Sequence, residues 1–220
     1  MNKPYIHHYA PDNASLIIRI ALEILGTPYE AVLVDRSITA QQSPAYLSLN
    51  PLGMIPALET PNGMIFETGA ILLWLADRHA GIFPATDNAA RGEGLKWLFF
   101  ISNSLQAGLR QMFYHEKFIL AEHAAKLRGG IAQRIQSDFA QIEHLIVDPH
   151  MTLLGGAKPT TLDIYACSCL RWAQLYPATY TDNWVEVETF PALRALAQRT
   201  ELLPSVRAVQ PAAGLGPTPF

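Results

Sequence analysis

Cysteine is scarce in this sequence: two residues, Cys167 and Cys169, among 220. Two are too few for a disulfide framework or a structural zinc site, and the usage fits a reducing cytoplasm. They stand two apart on a helical segment, which points their sulfurs to different faces and excludes a redox pair. Charge is also thin. Only 16% of residues are charged and the net charge is −3. Nucleic acid, which needs a basic face, is therefore not an expected partner. No uncharged apolar run reaches the roughly 18 residues that cross a bilayer, so no membrane span is expected. The opening MNKPYIHHY has no apolar core of the kind a secretory signal carries. The seven histidines are scattered and show no metal-ligand spacing, so no metal is expected. Internal repeats and low-complexity tracts are absent as well.

What is present is hydrophobic surface to bury. Half the residues are apolar, enough for a packed core over one large domain or two modest ones. Tyr5 to Tyr9 is β-prone and ends in Ala10-Pro11-Asp12-Asn13, a strand followed by a turn. From Ala14 the apolar positions Leu16, Ile17, Ile20, Ala21, Ile24 and Leu25 recur at helical spacing until Gly26 stops the run. Tyr29 to Val34 reads as a second strand. Pro44 to Leu49 reads as a short helix at most.

Ala57-Leu58-Glu59 and Met64-Ile65-Phe66 flank Pro61-Asn62-Gly63, which is a hairpin signal. Pro56 lacks an N–H and is expected at the start of an edge strand; its peptide isomer stays open. Glu67 to His79 reads as a helix. The order β-α-β-α-β-β-α predicts a thioredoxin-like α/β domain over residues 1–80.

Gly81, Pro84 and Asp87-Asn88 mark a linker. Beyond it the strand signals vanish, and residues 88–220 are expected to form an all-helical domain. Amphipathic stripes cover Ala89–Phe118 and Ala121–Ile146, and shorter helical segments follow. Thr160-x-x-Asp163 ahead of an apolar helix is a capping signature. The Pro- and Gly-rich tail from Gln210 is expected to dock loosely or fray.

One stretch is more specific. Asn50-Pro51-x-Gly53-x-Ile55-Pro56-Ala57-Leu58, then Glu67-Thr68-x-Ala70-Ile71 and Leu75-Ala76, resembles the glutathione-binding half of the cytosolic glutathione transferase family, of bacterial type. Thr160-x-x-Asp163 resembles the motif that opens a buried helix in the second domain of that family.

The resemblance implies that glutathione serves as co-substrate, bound along Met54-Ile55-Pro56. Ile55 would offer its backbone N–H and C=O to the cysteinyl residue. Glu67 would take the α-amine of the γ-glutamyl group, and Thr68 its carboxylate. It also implies a homodimer, and a helical-domain pocket for a small hydrophobic electrophile, with Asn103, Gln106 and Arg110 as candidate lining residues. The activity implied is conjugation of glutathione to that electrophile. Two alternatives share the fold: a glutathione-dependent disulfide reductase, peroxidase or isomerase, and a non-catalytic glutathione or hydrophobic-ligand binder.

The thiol-activating residue departs from the family pattern. Aligned through Arg19-Ile20-Ala21-Leu22, Asp12 stands where serine-type enzymes have Ser, and Ala14 where cysteine-type enzymes have Cys. Ser15, Asn13 and Tyr9 are the remaining candidates, in that order, because a hydroxyl, a carboxamide and a phenol can each donate to a thiolate.

Overall fold

The computed structural model describes residues 4–175 and 184–220, and these form two compact units. The first runs to Arg91 and includes Glu201–Pro219; the second runs from Gly92 to Thr200. The first is a thioredoxin-like α/β sheet of four strands, and the second is helical.

In the first unit the strands are β1 (Tyr5–Tyr9), β2 (Tyr29–Leu33), β3 (Ala57–Thr60) and β4 (Gly63–Phe66). Their order across the sheet is β2-β1-β3-β4. β1 and β2 are parallel, while β3 pairs antiparallel with both β1 and β4. Helix α1 (Ser15–Leu25) makes the crossover between the parallel pair, as a parallel connection requires. It buries Leu16, Ile17, Ile18, Ile20, Ala21 and Leu22 almost completely. Burial of such side chains stabilises by about 1.5–3 kcal/mol each. Gly26, at φ 59°, terminates α1 in the left-handed conformation that glycine adopts without a Cβ penalty.

Helix α2 (Pro44–Leu47) is a single turn, capped by Ser43, whose hydroxyl accepts the Tyr46 N–H. Helix α3 (Thr68–Arg78) follows β4 directly. The expected linker is held in place: Phe83 is buried, Arg91 donates to the Pro84 carbonyl, and Arg91 pairs with Asp77 at 2.7 Å.

One expectation is corrected here. Pro56 does not open an edge strand. β3 lies between β1 and β4, and Pro56 sits just before it, where its missing N–H breaks no ladder bond. The tail from Gln210, expected to dock loosely or fray, docks. Ahead of it the last helix, Pro204–Val209, buries Val206 and Val209 and packs on α1. Beyond it, Ala213 is buried and its carbonyl accepts the Asp12 N–H.

The second unit contains α4 (Arg91–Phe100), a π-helical stretch (Ile101–Gln106), α5 (Ala107–Phe113), α6 (Ala124–Val147), α7 (Thr161–Leu175) and α8 (Pro191–Glu201). The helix Pro204–Val209 of the first unit is therefore α9. Gly108 lets α5 approach α6: a Cβ there would fall 2.4 Å from the Arg134 guanidinium and 3.2 Å from Ile135.

The motif Thr160-x-x-Asp163 does cap α7. Asp163 accepts the Thr160 N–H at 2.6 Å and reaches out to the Gly155 N–H at 2.7 Å, while the Thr160 hydroxyl accepts the Leu162 N–H. Burial raises the carboxyl pKa of Asp163, against the pull of those hydrogen bonds. Asp163→Ala would strand two N–H groups and is expected to destabilise the chain by about 2 kcal/mol in urea unfolding. A change below about 0.5 kcal/mol would show that the cap contributes nothing.

Candidate active site

The register of the sheet gathers the sequence-predicted residues at one end. His8 pairs with Ala57, and Ala57 pairs with Phe66. The C-terminal end of β1, the N-terminal end of β3 and the C-terminal end of β4 therefore lie side by side. The loop from Ala10 to Ala14, the Ile55-Pro56 segment and Glu67-Thr68 extend from those three ends. Two strand spacings, about 10 Å, separate the outer pair. An extended tripeptide has about that length.

The central segment is prepared for pairing. The Ile55-Pro56 peptide bond is cis. The backbone N–H and C=O of Ile55 have no hydrogen-bond partner among the described residues. Met54 is partly exposed and Pro56 is buried. At the third strand end Glu67 has φ 72° and ψ 121°, and its side chain makes no capping bond. Holding a non-glycine residue there costs about 1–3 kcal/mol, a strain typical of ligand-binding positions. Thr68 is 6% exposed and makes no side-chain hydrogen bond to the described residues. The first backbone bond into α3 is from Ile71 to Glu67, so the N–H groups of Thr68, Gly69 and Ala70 have no backbone partner among the described residues. Such a helix start favours a carboxylate.

The three candidate activators differ in what the structure leaves free. Ser15 is 1% exposed. Its hydroxyl accepts the Ala10 N–H at 3.2 Å, and its single proton lies between the Ala10 carbonyl at 3.0 Å and Asn13 Oδ1 at 2.5 Å. That hydroxyl closes the loop. Tyr9 lies with its ring under the Arg19 guanidinium, 4.9 Å away, and stacked on His7. It serves as a packed strand aromatic.

Asn13 is half-buried, and its Oδ1 accepts both the Ser15 N–H at 2.8 Å and the Ser15 hydroxyl. The Ser15 N–H can meet only the oxygen of the carboxamide, so the flip of Asn13 is fixed. Its Nδ2 donors have no partner among the described residues.

His7, two residues before Tyr9 in β1, is wholly buried, and its Nε2 donates to the Ser15 carbonyl at 3.1 Å. Its Nδ1 is buried without a partner. Burial lowers the His7 pKa from 6.5 to about 3, far more than the Ser15 hydrogen bond raises it.

In the second unit, Gln106 is tied to the buried Tyr165, whose phenol donates to Gln106 Oε1. Asn103 and Arg110 are exposed. Gln106 therefore braces its own bundle, while the other two face outward.

Residues 6–77 match the family model described as Glutathione S-transferase, N-terminal domain. A glutathione S-transferase of the zeta class from Euphorbia esula is 28% identical over 218 residues, 96% of this chain and 92% of that protein. A sphingomonad glutathione S-transferase, solved in complex with glutathione, superposes with a TM-score of 0.77 at 27% identity, covering 96% of this chain and all of the other. On these findings residues 6–77 are a glutathione S-transferase N-terminal domain, and the chain as a whole is similar to glutathione transferases. Elongation factor 1-gamma 2 of Oryza sativa is also related, at 28% identity over 180 residues, 78% of this chain. The chain spans between 41% and 53% of the length of the elongation factor 1-gamma relatives.

Tyr46 and Asn50 are absent from the sequence-predicted set, yet both bind the Met54 carbonyl beside the candidate site. Asn50 opens a Pro-Leu-Gly turn, and an Asn at that place is the one sequence signal that points to such a bond.

Proposed function

We propose that the chain binds glutathione at this end of the sheet and conjugates its thiolate to a small hydrophobic electrophile. The single observation that carries this reading is the unpaired backbone of Ile55, flanked by the unpaired N–H groups at the start of α3. The cysteinyl residue of glutathione would add to Ile55 as an extended strand does. Its γ-glutamyl carboxylate would sit on Thr68 and the helix N-terminus, with the α-amine on Glu67.

The Nδ2 of Asn13, which has no partner among the described residues, would donate to the thiolate. A free thiol has a pKa near 8.5, and lowering it by about two units takes about 2.7 kcal/mol of preferential stabilisation of the anion. Catalysis then rests on thiolate stabilisation and proximity. As part of the same reading, the protein is a cytoplasmic homodimer that needs no metal.

Calorimetry with glutathione tests the site. Thr68→Val and Glu67→Ala are each expected to weaken binding about tenfold. An unaltered chain that fails to bind glutathione would end the reading. Turnover of an aryl halide then tests the chemistry. A second reading, a glutathione binder without catalysis, is favoured by Asp12 and Ala14 standing where the resemblance places the activating Ser or Cys, and by the Ser15 hydroxyl being bonded within its own loop. Binding without turnover of aryl halides, peroxides or disulfides would select it.

A further inference from the structure

We propose that Tyr46 and Asn50 are positioning residues that aim the Ile55 N–H at the peptide backbone of the bound thiol tripeptide. The inference rests on the glutathione reading above and concerns how that site is held in a binding-competent form.

The Met54 carbonyl and the Ile55 N–H belong to one trans peptide unit, so they point in opposite directions. The Tyr46 hydroxyl donates to that carbonyl at 2.7 Å, and Asn50 Nδ2 donates at 2.8 Å. Both lone pairs of the carbonyl are thereby filled from one side. Asn50 is 1% exposed, and its Oδ1 accepts the Leu52 N–H at 3.1 Å, which fixes the orientation of its carboxamide. Tyr46 is 5% exposed and packs with Val34 and Ala57, against Ile55 itself. Burial pushes its pKa up to about 12, so it remains an O–H donor across the physiological range.

The plane needs such a clamp because of what precedes it. Gly53, at φ 60°, turns the chain immediately before Met54, where a Cβ would strike the Gln42 side chain at 2.4 Å. Next to a glycine, whose backbone is permissive, those two donors fix the orientation of the plane. Rotated by half a turn, the unit would present a carbonyl where the ligand also presents one, and the strand-like pairing would be lost. Filling the carbonyl with two donors also polarises the amide and strengthens its N–H as a donor.

The test compares two ligands. Glutathione has the cysteinyl carbonyl that the Ile55 N–H would bind. γ-Glutamylethylamide keeps the γ-glutamyl group for Glu67 and Thr68 but lacks that carbonyl. Tyr46→Phe and Asn50→Ala are expected to weaken glutathione about tenfold and leave γ-glutamylethylamide within about twofold, measured by NMR titration of the full chain. If both ligands weaken alike, the residues act through general damage and the proposal is overturned. Unchanged glutathione affinity overturns it too. An unaltered chain that binds neither ligand instead removes the glutathione reading itself. Tyr46→Phe preserves the packed ring and decides the matter if Asn50→Ala fails to fold.

Discussion

Lowering the pH from 6.5 toward 3 is expected to cost the fold roughly 4 kcal/mol through one side chain, His7. The unfolded chain binds a proton at this histidine near pH 6.5, whereas the folded chain resists until about 3. In between, the unfolded state holds more protons, so stability falls as pH falls. The contribution is complete above 6.5 and is lost progressively down to the folded value. The cause is burial: the ring is 0% exposed among Tyr9, Tyr29 and the start of α1, and the positive charge of Arg19 opposes a second cation nearby. Urea unfolding at pH 7, 5.5 and 4.5 would measure the slope. His7→Phe keeps an aromatic ring in the site, and its slope over that window should be much flatter, whatever its stability at pH 7. Equal slopes for the two proteins would contradict the assignment.

The order of elements was legible because it rests on periodicity and punctuation. The apolar spacing from Leu16 to Leu25, the Pro61-Asn62-Gly63 turn and the Thr160-x-x-Asp163 cap are local signals, and local hydrogen bonds satisfy them. The place of Pro56 was not legible, because strand order is a tertiary property and an internal strand that starts after a proline reads like an edge. The composition of the tail from Gln210 leaves docking and fraying both open, and Ala213 docks it, with its carbonyl accepting the Asp12 N–H.

At the candidate site, Ile55-Pro56 and Glu67-Thr68 stand out in the sequence because their motif is contiguous. The candidate activators do not separate in the same way. Composition tells which groups are able to donate; only the folded loop tells which of them has already spent its donors. The Ser15 hydroxyl is consumed within the loop, and that same consumption leaves the Nδ2 of Asn13 free. The Tyr46 bond to Met54 was hidden by its setting, a tyrosine in a one-turn helix, where nothing in the spacing foretells its reach.

Asn13→Ala is expected to raise the pKa of the bound glutathione thiol by about one to two units and to slow conjugation at pH 7 by about 10–100-fold, with glutathione affinity nearly unchanged. The alanine removes the only side-chain donor that this loop leaves unpaired. Asn13→Asp should be worse. A carboxylate can still accept the Ser15 N–H, but it turns a donor toward the thiolate into a like charge. Ser15→Ala should cost less than Asn13→Ala, since the Ser15 backbone N–H still holds Asn13 Oδ1 at 2.8 Å. Tyr9→Phe should leave the thiol unaltered, because its ring is engaged by Arg19 and His7. Thiolate absorbance of the bound tripeptide against pH reads each value without reference to the electrophile. If Ser15→Ala abolishes the shift while Asn13→Ala retains it, the loop must open in the complex to release the serine, and the carboxamide is only a cap. If the unaltered chain binds glutathione with its thiol pKa unshifted, no residue of the loop activates it, and the family fold serves here as a binding module.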